Sequence, residues 1–172
     1  MKYLLLAALM ITAAAIATER SEIDWIKLHL ITAGYDDPAV QLQNLKDHGI
    51  SDDGARTLIE YVAGGEETLM RLAKKQGQAR CERRAELVED PEKYAQDLER
   101  GSAAYDAARK GLVDGIGAVL SPTDGTKLNE MLRYMPDPDF FETDVVALVR
   151  SGRLDLRDVL DRECGKEQAE SV

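Results

Sequence analysis

The chain has 172 residues, of which 32 are Asp or Glu and 22 are Lys or Arg, so its formal net charge is −10 at pH 7. A surface this acidic disfavours nucleic-acid binding and docking on anionic lipid, because both need a basic face, and it leaves cationic partners open. The length suits one ordinary domain, whose core must come from Leu, Ile, Val and Ala because there are one Trp and two Phe.

The first segment of the chain has the pattern of a secretory signal peptide. Lys2 gives a short positive start, and the apolar run 3–17 ends with the small-x-small triplet Ala15-Ile16-Ala17. This run is shorter than the roughly 20 residues that a membrane-spanning helix needs, so a cleaved signal is favoured over an anchor. Cleavage is expected after Ala17, with Ala15 as the alternative.

The short, Ala-rich leader is of a bacterial type and predicts a periplasmic or secreted protein. We therefore predict a cleaved signal peptide at residues 1–17 and a single helical domain at 18–172, whose tail at 165–172 is frayed. Since no later stretch is apolar enough to span a bilayer, no membrane insertion is expected after cleavage.

The rest of the chain has a helical period, and proline marks several helix starts. Proline is favoured at the first helical position, and three of the five prolines directly follow an N-cap residue. These pairs are Asp37-Pro38, Asp90-Pro91 and Ser121-Pro122. Ser121 and Asp124 also match a capping box with Asp in place of Glu. The predicted helices cover residues 21–33, 38–48, 52–89, 91–120, 122–134, 140–150 and 155–166, and the glycines at 64, 65 and 77 are candidate breaks in the third.

The fourth predicted helix carries a heptad seam, and most residues at one of its two heptad positions are small. Its members are Tyr94, Leu98, Gly101, Tyr105, Ala108, Leu112, Gly115 and Val119. The small residues would let the third helix approach closely, and the short connection at 89–91 makes the two antiparallel. The sequence thus predicts an all-α antiparallel bundle with one long helical hairpin. Internal packing of the seam is favoured, while a homodimer face or a client groove stays open.

Cys81 and Cys164 are the two cysteines of the chain. An even count in an exported protein predicts an intramolecular disulfide, which would tether the C-terminal helix to the third helix. There is no Cys-x-x-Cys pair, which disfavours redox activity. Arg80, Arg83 and Arg84 surround Cys81 and would stabilise a thiolate if the thiol were free, so a reactive thiol is the alternative.

Other chemistries have little support in the sequence. His29 and His48 lack the spacing of a zinc site, although His48 with Asp47, Asp52 and Asp53 leaves weak metal binding open. Calcium-loop, nucleophile-elbow and phosphate-loop patterns are absent. We predict no catalytic residue, no cofactor and no dedicated metal ligand.

The segment AVLSPTDGTKLNEML, residues 118–132, resembles helix starts in small periplasmic helical proteins of the Spy/CpxP type, which carry an LTxxQ motif. The matching residues run from Leu120 to Asp124, with Asp124 where that family has glutamine. The resemblance covers a short part of the chain. It implies an elongated helical hairpin that binds unfolded clients or a sensor kinase.

These observations predict an exported, non-enzymatic helical binding protein, chaperone-like or accessory to an envelope-stress response. The alternative is a secreted acidic inhibitor or effector that docks on a basic partner protein. A carboxylate-based hydrolase is the third hypothesis. The three differ in the expected surface: an exposed apolar face, a focused acidic patch, or a cleft whose carboxyl groups have raised pKa values.

Overall fold

The computed structural model describes residues 25–33, 37–135 and 144–169. These residues form eight α-helices and no strand. The helices are α1 (Trp25–Ala33), α2 (Pro38–Asp47), α3 (Asp52–Glu82), α4 (Arg84–Glu89), α5 (Pro91–Val119), α6 (Pro122–Tyr134), α7 (Val145–Arg150) and α8 (Leu156–Ala169). The predicted all-α fold with a long hairpin and a tethered C-terminal helix is confirmed. The predicted signal peptide at 1–17 lies outside the described residues, and the single domain at 18–172 stays a prediction.

Helix starts follow the predicted N-cap residues. The side chain of Asp37 accepts a hydrogen bond from the backbone N–H of Ala39 at 2.8 Å, and Pro38 opens α2. Ser121 caps α6 by accepting from the N–H of Asp124 at 3.1 Å. Because a cap satisfies amides that have no partner within the helix, these residues fix where each helix begins.

The predicted long helix over 52–89 is interrupted, but not at any of its candidate glycines. The α3 helix continues through the glycines at 64, 65 and 77 and ends at Glu82, and α4 begins at Arg84. The break lies at Arg83, whose N–H donates to the carbonyl oxygen of Arg80 at 3.1 Å. This three-residue span tightens the last turn, after which the chain departs from the α3 helix.

The chain divides into two compact units. Among the described residues, the first unit takes those up to Gly65 and those from Lys110 to Met135, and the second takes those from Glu66 to Arg109 and from Asp144 onward. The core of the first unit is mostly aliphatic, with one tryptophan. Its buried side chains include Trp25, Leu28, Leu45, Leu58, Val62, Ile116, Leu128 and Leu132.

The two long helices contact each other through glycine in each unit. In the first unit the Tyr61 hydroxyl donates to the carbonyl oxygen of Leu112 at 2.8 Å, and a Cβ at Gly115 would collide with that hydroxyl. In the second unit the Gln76 amide donates to the carbonyl oxygen of Gly101 at 3.1 Å. The small half of the heptad seam therefore serves intramolecular packing at these two positions, as predicted.

The core of the second unit joins α4, α5, α7 and α8. Leu87, Tyr94, Val149 and Leu160 are all buried there, with Ala95 and Leu156 beside them. Leu160 contributes from the C-terminal helix and is fully buried. Hydrophobic burial therefore holds α8 in place in addition to any covalent tether.

The predicted disulfide between Cys81 and Cys164 is present, with a Cα–Cα distance of 5.5 Å and a sequence separation of 83. It joins the last turn of α3 to α8. Ion pairs lie on both sides of it, between Arg80 and Glu163 and between Arg84 and Asp161. Two of the arginines that flank Cys81 in the sequence thus bind carboxylates of α8, and the alternative of a free reactive thiol is not supported.

Candidate functional site

A cleft of about 480 Å³ opens in the first unit where α3 and α6 begin. Four hydroxyl groups line it, together with two carboxylates, two glycines and one exposed valine. The hydroxyl groups belong to Ser51, Thr57, Ser121 and Thr123. The carboxylates belong to Asp53 and Asp124, and the valine is Val119, the last residue of α5.

Asp124 is buried at the base of this cleft, with 6% of its surface exposed. One carboxylate oxygen, Oδ1, accepts from the backbone N–H of Ser51 at 2.8 Å. The other, Oδ2, accepts from the hydroxyls of Ser51 at 2.9 Å and Ser121 at 2.7 Å. The hydrogen bonds from the Ser51 backbone and from the two hydroxyls lower the pKa of Asp124 and keep it ionised at neutral pH.

This arrangement differs from the capping box that the sequence predicts. In a capping box the acid at the third helical position accepts from the N-cap amide of its own helix. Asp124 instead accepts from the amide of Ser51, whose hydroxyl accepts in turn from the N–H of Gly54 at 3.0 Å at the start of α3. One carboxylate therefore ties the start of α6 to the start of α3.

Gly54 makes room for this carboxylate. It stands in α3 at the position where a capping box would carry its own acid, and a Cβ built on it would lie 2.6 Å from Oδ2 of Asp124. Any larger residue would push the carboxylate away from Ser51. The glycine is thus required by close approach, because its backbone is ordinary helix.

Asp52 forms a separate ion-pair group on the outside of the α3 start. It accepts from Lys46 at 2.9 Å and from Arg56 at 2.8 Å. These two hydrogen bonds lower the pKa of Asp52 to about 2. Asp52 is therefore engaged with cations of its own unit and does not project toward the cleft as a free acid.

The weak metal site near His48 is not supported. The Nδ1 atom of His48 lies 2.8 Å from the carbonyl oxygen of Asn44, at the end of its own helix. Among the described residues, no group of three or more His, Cys, Asp or Glu side chains is placed to hold a metal ion.

A second set of charges lies in the second unit. Arg150 binds Glu92 at 2.9 Å and Glu99 at 2.8 Å, which ties α7 to α5. Arg83 binds Asp97 at 2.7 Å and Glu86 at 2.9 Å. These pairs lower the pKa of Glu86 to about 2, chiefly through Arg83, and lower that of Glu92 through Arg150.

The described carboxyl groups with a perturbed pKa are therefore all shifted downward, which bears on the chemistry of the cleft. They are Asp52, Glu86, Glu92 and Asp124. A general acid needs a pKa near the working pH, which requires an upward shift. Asp124 accepts three hydrogen bonds from Ser51 and Ser121, so its geometry suits a structural anchor that joins two helix starts.

Ser51 is the residue that the sequence prediction missed. The signal was a similarity between the two segments that begin α3 and α6. In each, an aliphatic residue and a serine come just before the helix, and further residues match along the helix. The corresponding pairs are Ile50 with Leu120, Ser51 with Ser121, Leu58 with Leu128, and Glu60 with Glu130. Comparing the two segments would have identified Ser51 as the N-cap equivalent to Ser121.

Within the described part of the chain, no helix combines the length and the apolar character needed to cross a bilayer. Comparisons with protein-family models, with curated proteins and with solved structures each find no match to this chain.

Proposed function

We propose that this chain is an exported, non-enzymatic helical binding protein, chaperone-like in action, which holds segments of unfolded polypeptide in the cleft of its first unit. The observation that carries the proposal is the state of Asp124. Its carboxylate accepts three hydrogen bonds from Ser51 and Ser121, so it forms a rigid base for the cleft and is not free to act as a general acid.

The lining of the cleft suits an extended peptide. Hydroxyl groups both donate and accept, so Thr57 and Thr123 provide partners for the N–H and C=O groups of a bound backbone. Val119 is 37% exposed and adds an apolar contact for a client side chain. This combination recognises polypeptide with little dependence on sequence, as a holding chaperone requires.

Two features support export. Residues 1–17 have the pattern of a cleaved signal, and the bond between Cys81 and Cys164 suits an oxidising compartment, because disulfides persist outside the reducing cytosol. The proposed location is the bacterial periplasm or the medium.

The second candidate is an acidic inhibitor or effector that docks on a basic partner. Asp53 favours it, because this exposed carboxylate lies at the cleft and the whole chain carries a net charge of −10. Such binding depends on long-range charge, so it weakens as ionic strength rises. Binding to unfolded segments through Val119 and backbone groups depends much less on salt.

Binding measured with three probes separates the candidates. The probes are an acidic protein kept unfolded by blocking its reduced cysteines (α-lactalbumin), a basic one treated in the same way (lysozyme), and folded lysozyme. The proposed function predicts binding of both unfolded probes at about 0.5 M salt, where the Debye length is only several ångströms, and none of folded lysozyme. Binding of the basic probes alone, abolished by salt, would contradict it and favour the second candidate.

A matched pair of variants tests the cleft itself. Val119→Asp places a charge at the cleft, and Val40→Asp makes the same change at an exposed valine of α2 in the same unit. The proposal predicts at least tenfold weaker binding of unfolded α-lactalbumin by Val119→Asp and little change by Val40→Asp. Equal affinity of the two variants would exclude the cleft as the binding site.

A further inference from the structure

The exposed face of α3 in the second unit carries a self-complementary charge pattern. Glu67, Met70, Arg71, Lys74 and Gln78 follow one another at helical spacing and therefore lie on one side of the helix. All five are exposed.

Met70, the apolar residue of this face, is unusually exposed. Met70 is 63% exposed. Glu67 and Arg71 form an ion pair at 3.8 Å within the helix, and their side chains are 68% and 70% exposed, so both also remain open to a second partner. On the opposite side of the helix, Leu69 is buried. Solvent thus surrounds a methionine in the middle of a face whose acid lies toward the start of α3 and whose bases lie toward its end.

A second copy of the same face, turned antiparallel, fits this order. With a twofold axis between Met70 and Arg71, Glu67 of each copy lies opposite Lys74 of the other, so the pair occurs twice. Met70 of each copy then lies along the aliphatic stem of Arg71 in the other. A second copy of this face supplies the opposite charges automatically, because the twofold axis reverses their order. An unrelated partner would need a base and an acid at the same spacing by chance.

We propose that this face of α3 is the contact of an antiparallel homodimer, with Met70 at its centre and Glu67–Lys74 pairs on both sides. In a chain with net charge −10, two copies repel over most of their surface, so association is favoured where opposite charges of the two copies face each other. The interface spans about three helical turns, which is small, and association belongs to the high-micromolar or millimolar range. This inference does not depend on the cleft or on its proposed clients.

Sedimentation equilibrium at constant ionic strength measures the association directly. The wild-type chain, with its disulfide intact, is expected to show a monomer–dimer equilibrium as its concentration approaches roughly 1 mM. Glu67→Lys places like charges opposite each other twice and is expected to weaken association at least tenfold relative to Glu89→Lys. Glu89 is an exposed residue of α4, so this control makes the same change in net charge elsewhere.

The double variant Glu67→Lys/Lys74→Glu restores opposite charges in reversed order and is expected to recover wild-type association within about threefold. A wild-type chain that stays monomeric throughout overturns the proposal. Equal association of the Glu67→Lys and Glu89→Lys variants overturns it as well, because the dimer would then use another surface.

Carbodiimide cross-linking of an equal mixture of ¹⁴N- and ¹⁵N-labelled chains identifies the contact. The reagent joins a carboxylate to an amine only where the two touch. A Glu67–Lys74 linkage between chains of different isotope is the expected product, and linkage confined to chains of one isotope would refute the interface.

Discussion

Removal of the Asp124 carboxylate tests whether one buried acid joins two helix starts in the first unit. Asp124→Ala deletes three hydrogen bonds, to the amide and hydroxyl of Ser51 and to the hydroxyl of Ser121. Hydrogen bonds to a charged group contribute about 1.5 to 3 kcal/mol each but are not additive within one network, so a loss of about 2 to 4 kcal/mol is expected. Urea unfolding followed by far-ultraviolet circular dichroism measures it.

Asp124→Asn and Asp53→Asn form the matched control pair. Both variants remove one negative charge from the first turn of a helix, which alone costs about 0.3 to 1 kcal/mol, but Asp53 is exposed. The excess loss in Asp124→Asn therefore reports the buried network. If Asp124→Ala unfolds within about 0.5 kcal/mol of the wild type, as exposed substitutions do, the network does not stabilise the fold and the reasoning is refuted.

The same carboxylate gives a pH dependence with a definite sign. Its hydrogen bonds lower the folded-state pKa of Asp124 below 3.8, the ordinary value of an aspartate. The stabilisation is therefore complete above pH 3.8 and is lost as pH falls through the folded-state pKa. The Asn variant should lose this part of the acid dependence. An unchanged acid-unfolding curve in Asp124→Asn would show that the carboxylate titrates as it does in the unfolded chain.

Three further predictions concern the scaffold. Replacing Cys81 and Cys164 together by alanine opens a loop with a sequence separation of 83 and should cost up to about 4 to 5 kcal/mol in a chain-entropy estimate; thermal unfolding without reductant measures it, and an unchanged midpoint would contradict it. Leu160→Ala should destabilise the chain by about 2 to 5 kcal/mol, because this side chain is fully buried in the core of the second unit; a loss below about 1 kcal/mol, measured by urea unfolding, would mean that α8 is held by the disulfide alone. Gly64→Ala should stabilise α3 by about 0.5 to 1 kcal/mol, because nothing lies within 4 Å of the new Cβ. Gly54→Ala should destabilise α3, because its Cβ would lie 2.6 Å from the buried carboxylate of Asp124. Equal shifts of the two thermal midpoints would refute the close approach of Gly54 and Asp124.

Much of the fold could be predicted because its signals are local. Asp37 and Ser121 cap their helices as predicted, since an N-cap acts within one turn and is visible in the sequence. The disulfide was predicted from the even cysteine count and from the expectation that the chain is exported. The seam was predictable because Gly101 and Gly115 fall at heptad positions, where a large side chain would keep the neighbouring helix away.

The cleft could not be predicted because its central contact is not local. Asp124 belongs to a pattern that predicts a bond within its own helix start, yet the carboxylate reaches Ser51 on another helix. Local rules cannot choose between the N-cap amides of Ser51 and Ser121, because neither amide has a partner within its own helix. The break at Arg83 was missed because no proline or glycine marks it and the surrounding residues favour a helix.

Export and the internal disulfide are tested most directly by the intact mass of the protein recovered from the cells that produce it, measured with and without reductant. The proposal that this chain is exported rests on the pattern of residues 1–17 and on the disulfide between Cys81 and Cys164. It predicts a mature chain that begins at Thr18 and is two hydrogens lighter before reduction than after it. A full-length chain that retains residues 1–17 and has identical mass under both conditions would contradict export and the disulfide together.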